Sequence, residues 1–218
     1  VVLVGPPGAG KTTVGRALAR RMGLAFTDVD AVIVERVGKP IADMFTEDGE
    51  DAFRALERAV VAEALASTDG VLALGGGSVL AAVTRERLRG HRVVHLTVGL
   101  ADGIRRTGMS GARPLLAGVN PRATFKALLD ARAPLYREVA TFEVDTSRRS
   151  AGQVVRAVLT AIGEPVVAAD ADSATQTDAV APLDEPASND EPLLPSPTFG
   201  RPSHEPATGE AAAAADDR

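Results

Sequence analysis

The chain has 218 residues, 45% of them hydrophobic, and no cysteine, which excludes disulfides, thiolate zinc sites and cysteine nucleophiles. No apolar run reaches the ~18 residues of a membrane-spanning helix and no charged-then-apolar leader is present, so a cytoplasmic protein is expected. Of 29 acidic and 24 basic residues, 12 acidic residues and two arginines fall after position 163, leaving a net +5 before it and −10 after it.

The order of elements follows from apolar spacing. Val1–Val4 is a continuous β-branched run ending at Gly5, the pattern of a buried parallel strand. The chain starts at Val rather than Met, so this first strand is expected to be incomplete. From Thr12, Val14, Ala17, Leu18 and Met22 fall at helical spacing up to Gly23. "LAFTDVD" (24–30) reads as a strand ending in two aspartates, followed by a short helix around Val32–Val37. "IADMF" and "AFRALERAVVAEALAS" are helical, the second with Phe53, Leu56, Val60, Val61, Ala64 and Leu65 on one stripe. "GVLALGGG" (70–77) is a strand ending in three glycines, and 79–88 a helix. "RVVHLTV" (92–98) is a fourth strand and 101–107 a short helix. "GMSGARPLLAG" (108–118) is irregular, 121–136 a helix, "TFEVD" (141–145) a fifth strand, and 152–162 a closing helix. Strands alternating with helices define an α/β class with a parallel sheet.

Residues 5–12, "GPPGAGKT", fit G-x-x-x-x-G-K-[ST] after a strand and at the opening of a helix. Glycines there let successive backbone N–H groups turn inward, and the helix N-terminus adds partial positive charge. Lys11 can reach the β- and γ-phosphates of a nucleoside triphosphate, and the Thr12 hydroxyl can ligate Mg²⁺. The second metal-binding Asp of such sites often ends a strand. The third strand ends in glycine instead, so "TDVD" is the donor, with Asp28 and Asp30 on one side of an extended segment. One would sit near Mg²⁺ and the other near an acceptor hydroxyl. The plainer alternative is that Asp30 only caps the following helix.

Three features exceed a plain nucleotide binder. "FRALE" places Arg54 and Glu57 three apart on one helix, which alone would be a surface ion pair. Gly75, Gly76 and Gly77 strip side chains from the end of a buried strand, where a ligand could lie on backbone. Arg132 stands two residues before Pro134 near a helix end. Two arginines beside a bare backbone platform suit a small, flat, hydroxylated carboxylate, each charge-assisted contact contributing about 1.5–3 kcal/mol.

In order, "GPPGAGKTT", "DVD", "FRALE", "LGGGSV", "RPLL" and "RAPLY" resemble the shikimate kinase family over residues 1–163. The resemblance implies a three-layer P-loop kinase fold of nucleoside-monophosphate-kinase type, with a five-stranded parallel sheet in the order 2-3-1-4-5, a lid and substrate-binding helices. It implies transfer of phosphate from ATP to shikimate with Mg²⁺, toward chorismate and the aromatic amino acids. Carried onto this sequence, Gly8, Ala9, Gly10, Lys11, Thr12 and Thr13 hold the nucleotide, with Thr12 and Asp28 at the metal. Asp30 meets the acceptor hydroxyl as candidate base. Arg54 and Arg132 hold the shikimate carboxylate, and Gly75–Gly77 pack against its ring. Arg113 is the lid arginine reaching the transferring phosphate. Arg106 lies beside the adenine and Arg149 contacts the nucleotide. One departure is Ala151, where many relatives place a proline against the adenine, so adenine contact is expected to differ in detail.

The division of charge suggests a kinase domain at 1–163 and a disordered acidic tail at 164–218 rich in Pro and Ala. Of the 22 basic residues before 164, 19 are arginine, suited to anionic ligands. Nucleic acid is disfavoured as a partner because the chain has one Tyr, no Trp and six Phe for base stacking. A monomer without membrane partners is expected. The rivals are another small kinase of the same fold, of gluconate or adenylate kinase type, and a non-catalytic ATP-binding regulator.

Overall fold

Five short strands line up in parallel with the order β2-β3-β1-β4-β5 in the computed structural model, which describes residues 1–107 and 120–166. They are β1 (Val2–Val4), β2 (Ala25–Asp28), β3 (Gly70–Ala73), β4 (Val93–Thr97) and β5 (Phe142–Asp145). The helices are α1 (Lys11–Met22), α2 (Val29–Val37), α3 (Ile41–Glu47), α4 (Glu50–Ser67), α5 (Ala82–Leu88), α6 (Leu100–Thr107), α7 (Pro121–Val139) and α8 (Ala151–Ile162). The class and strand order agree with the expectations from sequence.

The continuous apolar runs of β1, β3 and β4 are buried because helices cover both faces of the sheet. On one face Val2, Val4, Leu72, Leu74 and Val93 pack with Val29 and Ile33 of α2, Val60 and Val61 of α4, and Tyr136 of α7. On the other, Leu3, Val94 and Leu96 pack with Val14 and Leu18 of α1 and with Val154, Val158 and Leu159 of α8. Alternate residues of one strand thus feed two cores.

Three boundaries differ from the sequence reading. β2 stops at Asp28, whose side chain accepts a hydrogen bond from the Asp30 N–H at 3.1 Å and caps α2. Asp28, not Asp30, is the cap, and Asp30 lies in the first helical turn. The expected helix 79–88 is broken into a 3₁₀ turn at Ser78–Leu80 and α5, with Ala81 extended between them. The Arg85 guanidinium donates to the carbonyls of Val79 and Leu80 at 2.9 and 3.1 Å, satisfying groups the break exposes. α7 continues past Tyr136 to Val139 with Pro134 inside it. A helix-interior proline costs about 3 kcal/mol, and this is offset by burial of Tyr136 and packing of Leu135 and Val139 on the core.

Candidate active site

The chain reverses direction in the sheet at β1, which lies between β3 and β4, and ligand crevices of open α/β sheets form beyond the strand ends at such a point. The 5–12 loop lies there. Gly10 caps α1 in the left-handed region at φ 85°, so α1 begins at Lys11 with its first N–H groups directed at the loop. The Lys11 ammonium curls back and donates to the carbonyls of Gly5 and Pro6 at 2.8 and 3.1 Å. Its amine is therefore fixed over the cradle. The Thr12 hydroxyl donates to Asp28 Oδ2 at 2.7 Å. This bond joins the loop to the end of β2.

A cleft of about 320 Å³ is lined by Gly8, Gly10, Lys11, Thr12, Thr13, Asp28, Asp30 and Arg106. A second, of about 290 Å³, adjoins it and contains Ala9, Gly10, Thr13, Arg105, Arg106, Arg149 and Ala151. Arg106 donates to the Gly8 carbonyl at 3.2 Å, to the Thr146 hydroxyl at 3.0 Å and to the Thr146 carbonyl at 2.8 Å. It therefore ties the phosphate loop to the loop after β5 and forms the wall shared by the two clefts. Ala151 opens α8 behind a capping box of Ser150 and Gln153 and contributes only a methyl to the wall.

A third cleft, of about 120 Å³, holds Lys11, Asp30, Arg54, Glu57, Gly75, Gly76, Gly77 and Arg132 together with Phe45 and Phe53. Lys11 and Asp30 line both this cleft and the phosphate cleft, so the two spaces meet there. Gly75 and Gly77 stand close to functional side chains. A Cβ on Gly75 would lie 2.6 Å from Asp30 Oδ1 and 2.8 Å from Glu57 Oε1, and one on Gly77 would strike the Arg54 guanidinium. Arg132 donates from Nη1 to the Gly76 carbonyl at 3.0 Å, and Tyr136 Oη donates to the same oxygen at 2.6 Å.

The Arg54–Glu57 pair is not the surface pair that its spacing alone suggests. Glu57 is 3% exposed and accepts from Arg54 at 2.7 Å and from the Ser78 hydroxyl at 2.7 Å. The Arg54 guanidinium also lies 5.6 Å from the Phe45 ring centre and 5.4 Å from that of Phe53. Glu57, Ser78 and Tyr136, with Phe45 and Phe53, were not assigned to the site by the sequence reading. A signal for Glu57 was present: it falls on the apolar stripe with Phe53, Val60 and Val61, where an acid must find partners. Arg113 and the 108–118 segment lie outside the described residues.

A glycine-rich cradle, a Thr–Asp pair beside it and a separate basic cleft joined to it at Lys11 and Asp30 define a P-loop kinase with distinct donor and acceptor spaces. The comparisons narrow the class. A family model for shikimate kinase matches residues 7–163, and the chain belongs to the shikimate kinase family. It is 69% identical over 145 residues to a shikimate kinase of Saccharopolyspora erythraea, covering 66% of this chain and 83% of that one. It is 57% identical over 166 residues to a shikimate kinase of Thermobifida fusca, covering 75% and 96%. The solved shikimate kinase from Acinetobacter baumannii in complex with shikimate is 40% identical, with a TM-score of 0.72 over 74% of this chain and 90% of that one.

Proposed function

We propose that this chain transfers the γ-phosphoryl group of ATP to a hydroxyl of shikimate, yielding shikimate 3-phosphate and ADP. The observation that carries the reading is the joining of two clefts at Lys11 and Asp30. One has the phosphate cradle, and the other has Arg54, Arg132 and a bare backbone at 75–77. Family membership and the shikimate-bound relative support the choice of acceptor.

Each residue has a role set by its position. Gly8, Ala9, Gly10 and Thr13 shape the donor space, and Arg106 and Arg149 wall its base end. Lys11 offsets charge on the phosphoryl oxygens. Thr12 and Asp28 supply a hydroxyl and a carboxylate at 2.7 Å, a hard-oxygen pair suited to Mg²⁺ with its waters and phosphate oxygens. When bound, Mg²⁺ would neutralise phosphate charge. Asp30 takes the proton of the attacking hydroxyl as its oxygen bonds to phosphorus and ADP departs. Arg54 and Arg132 hold the carboxylate, and Gly75–Gly77 bring backbone against the ring. Arg113 is assigned to the transferring phosphate by its place in "ARPLL". The enzyme is proposed to act as a cytoplasmic monomer. Among the described residues no helix is long and apolar enough to cross a membrane.

The test is a coupled ADP-release assay with shikimate, AMP or gluconate. Turnover with shikimate alone is expected. Turnover preferring AMP or gluconate, or ATP binding without turnover on any acceptor, overturns the reading.

A further inference from the structure

The Gly76 carbonyl accepts two hydrogen bonds, from Arg132 Nη1 at 3.0 Å and from Tyr136 Oη at 2.6 Å. A carbonyl oxygen has two lone pairs, so both are occupied. The two donors sit one turn apart on α7 but differ in kind. Arg132 lines the acceptor cleft and carries a charge that a carboxylate can claim. Tyr136 is 1% exposed and does not line that cleft. A guanidinium bonds a carboxylate more strongly than a neutral carbonyl. An arriving carboxylate therefore competes with Gly76 for the N–H donors of Arg132, and the platform leans more on its other donor.

We infer that Tyr136 is a positioning residue for the acceptor: its hydroxyl holds the Gly76 carbonyl in place while Arg132 also serves the carboxylate. The inference rests on the assignment of Arg132 and Gly75–Gly77 to the acceptor cleft. Three observations fit it. The Tyr136 ring stacks on His95, with centroids 4.9 Å apart and planes at 23°. His95 Nδ1 lies 3.0 Å from Glu143 Oε2, its register partner on the neighbouring strand. The phenol is thereby braced against the sheet, and its direction toward Gly76 is set by β4 and β5 rather than by the loop it supports. Burial also pushes the Tyr136 hydroxyl up to about 12, so it remains a donor at any working pH.

Tyr136→Phe retains the ring and its stack and removes only the donor. Arg132 then becomes the platform's remaining side-chain donor and must serve Gly76 and the carboxylate together. The expected result is a rise in KM for shikimate of about 5- to 30-fold, the scale of one or two kcal/mol-sized hydrogen bonds, with KM for ATP unchanged and kcat within about threefold. In an Arg132→Ala background Tyr136 is the remaining side-chain donor to Gly76, so the same substitution should still raise KM for shikimate, by at least as large a factor. An unchanged shikimate KM in Tyr136→Phe overturns the inference. So does disappearance of the effect in the Arg132→Ala background, or a parallel loss in kcat and both KM values accompanied by a lower Tm, which marks a merely structural tyrosine. If Arg132→Ala itself leaves shikimate KM unchanged, the underlying assignment of the cleft has failed instead, and the inference with it.

Discussion

Arg54 and Glu57 stand one turn apart on α4, and their 2.7 Å contact sets a 3% exposed carboxylate behind the guanidinium that abuts Gly77. Arg54 has a second partner: Glu50 Oε1, on the exposed side of α4, accepts from Nε and Nη2 at 3.2 and 3.1 Å. Glu57 therefore decides which way the guanidinium leans. Glu57→Ala removes the inward partner and leaves the buried Ser78 hydroxyl without its acceptor, so stability falls while Arg54 follows Glu50 outward. The expected outcome is a loss of shikimate affinity of about tenfold, one charged hydrogen bond in scale. Calorimetry with shikimate checks it, and restored affinity in Glu57→Ala/Glu50→Ala would confirm that Glu50 draws Arg54 outward.

The Thr12–Asp28 bond at 2.7 Å leads to a separate expectation for the metal. Asp28→Asn keeps the shape and the cap on α2, since an amide oxygen also accepts from the Asp30 N–H. It lowers the negative charge offered to Mg²⁺. The concentration of Mg²⁺ giving half-maximal turnover should rise about tenfold, with kcat at saturating metal much less affected. A metal titration of turnover checks this, and an unchanged midpoint would remove Asp28 from the metal's surroundings.

Strand number, parallel class and the phosphate cradle were legible because each rests on a local pattern. Val1–Val4 before "GPPGAGKT" is one continuous signal, and its reading needed no tertiary knowledge. What was not legible depends on partners distant in sequence. The break at Ala81 is stabilised by Arg85 reaching back to Val79 and Leu80. The continuation of α7 past Tyr136 to Val139 follows from packing of Leu135 and Val139 on the core. The role of Glu57 turns on Ser78, which is 21 residues away. The site residues Lys11, Asp30, Arg54, Gly75–Gly77 and Arg132 lie in five separate segments, and all line one cleft.

Residues 164–218 carry −10 and most of the prolines, while the family match ends at 163. α8 closes at Gly163 with a left-handed cap, so the last core helix is complete there. Deleting residues 165–218 is expected to leave kcat and both KM values unchanged. A loss of more than about threefold in a folded truncation would assign the tail a part in catalysis.

His95 gives a pH dependence of stability. Burial holds its imidazole below the ordinary value, against the opposing pull of Glu143; Arg137 and Lys11 also face it and lower it further. The Tyr136 ring covers its face. The unfolded chain therefore binds this proton more tightly than the folded one. The stability associated with neutral His95 is complete above the unfolded value near ~6.5 and is lost as pH falls from there through the depressed folded value. His95→Phe keeps a ring against Tyr136 and cannot titrate. Urea midpoints measured from pH 7.5 to 5 should fall more steeply for the natural chain than for the variant. Parallel curves would show that another group controls this range.

Gly75 and Gly77 are separated by two positions and should respond to alanine in opposite ways. Neither has a φ in the left-handed region, so the outcome depends on what the new methyl meets. At Gly77 it meets the end of the Arg54 side chain, a flexible group that can move at little cost to folding. Gly77→Ala should keep its Tm within a few degrees and raise KM for shikimate about tenfold or more, because Arg54 leaves the platform. At Gly75 the methyl meets Asp30 Oδ1 at 2.6 Å and Glu57 Oε1 at 2.8 Å, and Glu57 is buried and bonded on two sides. It cannot withdraw without breaking one of those bonds. Gly75→Ala should therefore lower both Tm and kcat, the latter by displacing Asp30 from the hydroxyl it serves. Thermal melts and steady-state kinetics on the pair distinguish the two cases. Equal effects at both positions would mean that neither Arg54 nor Asp30 is placed by the glycines beside it.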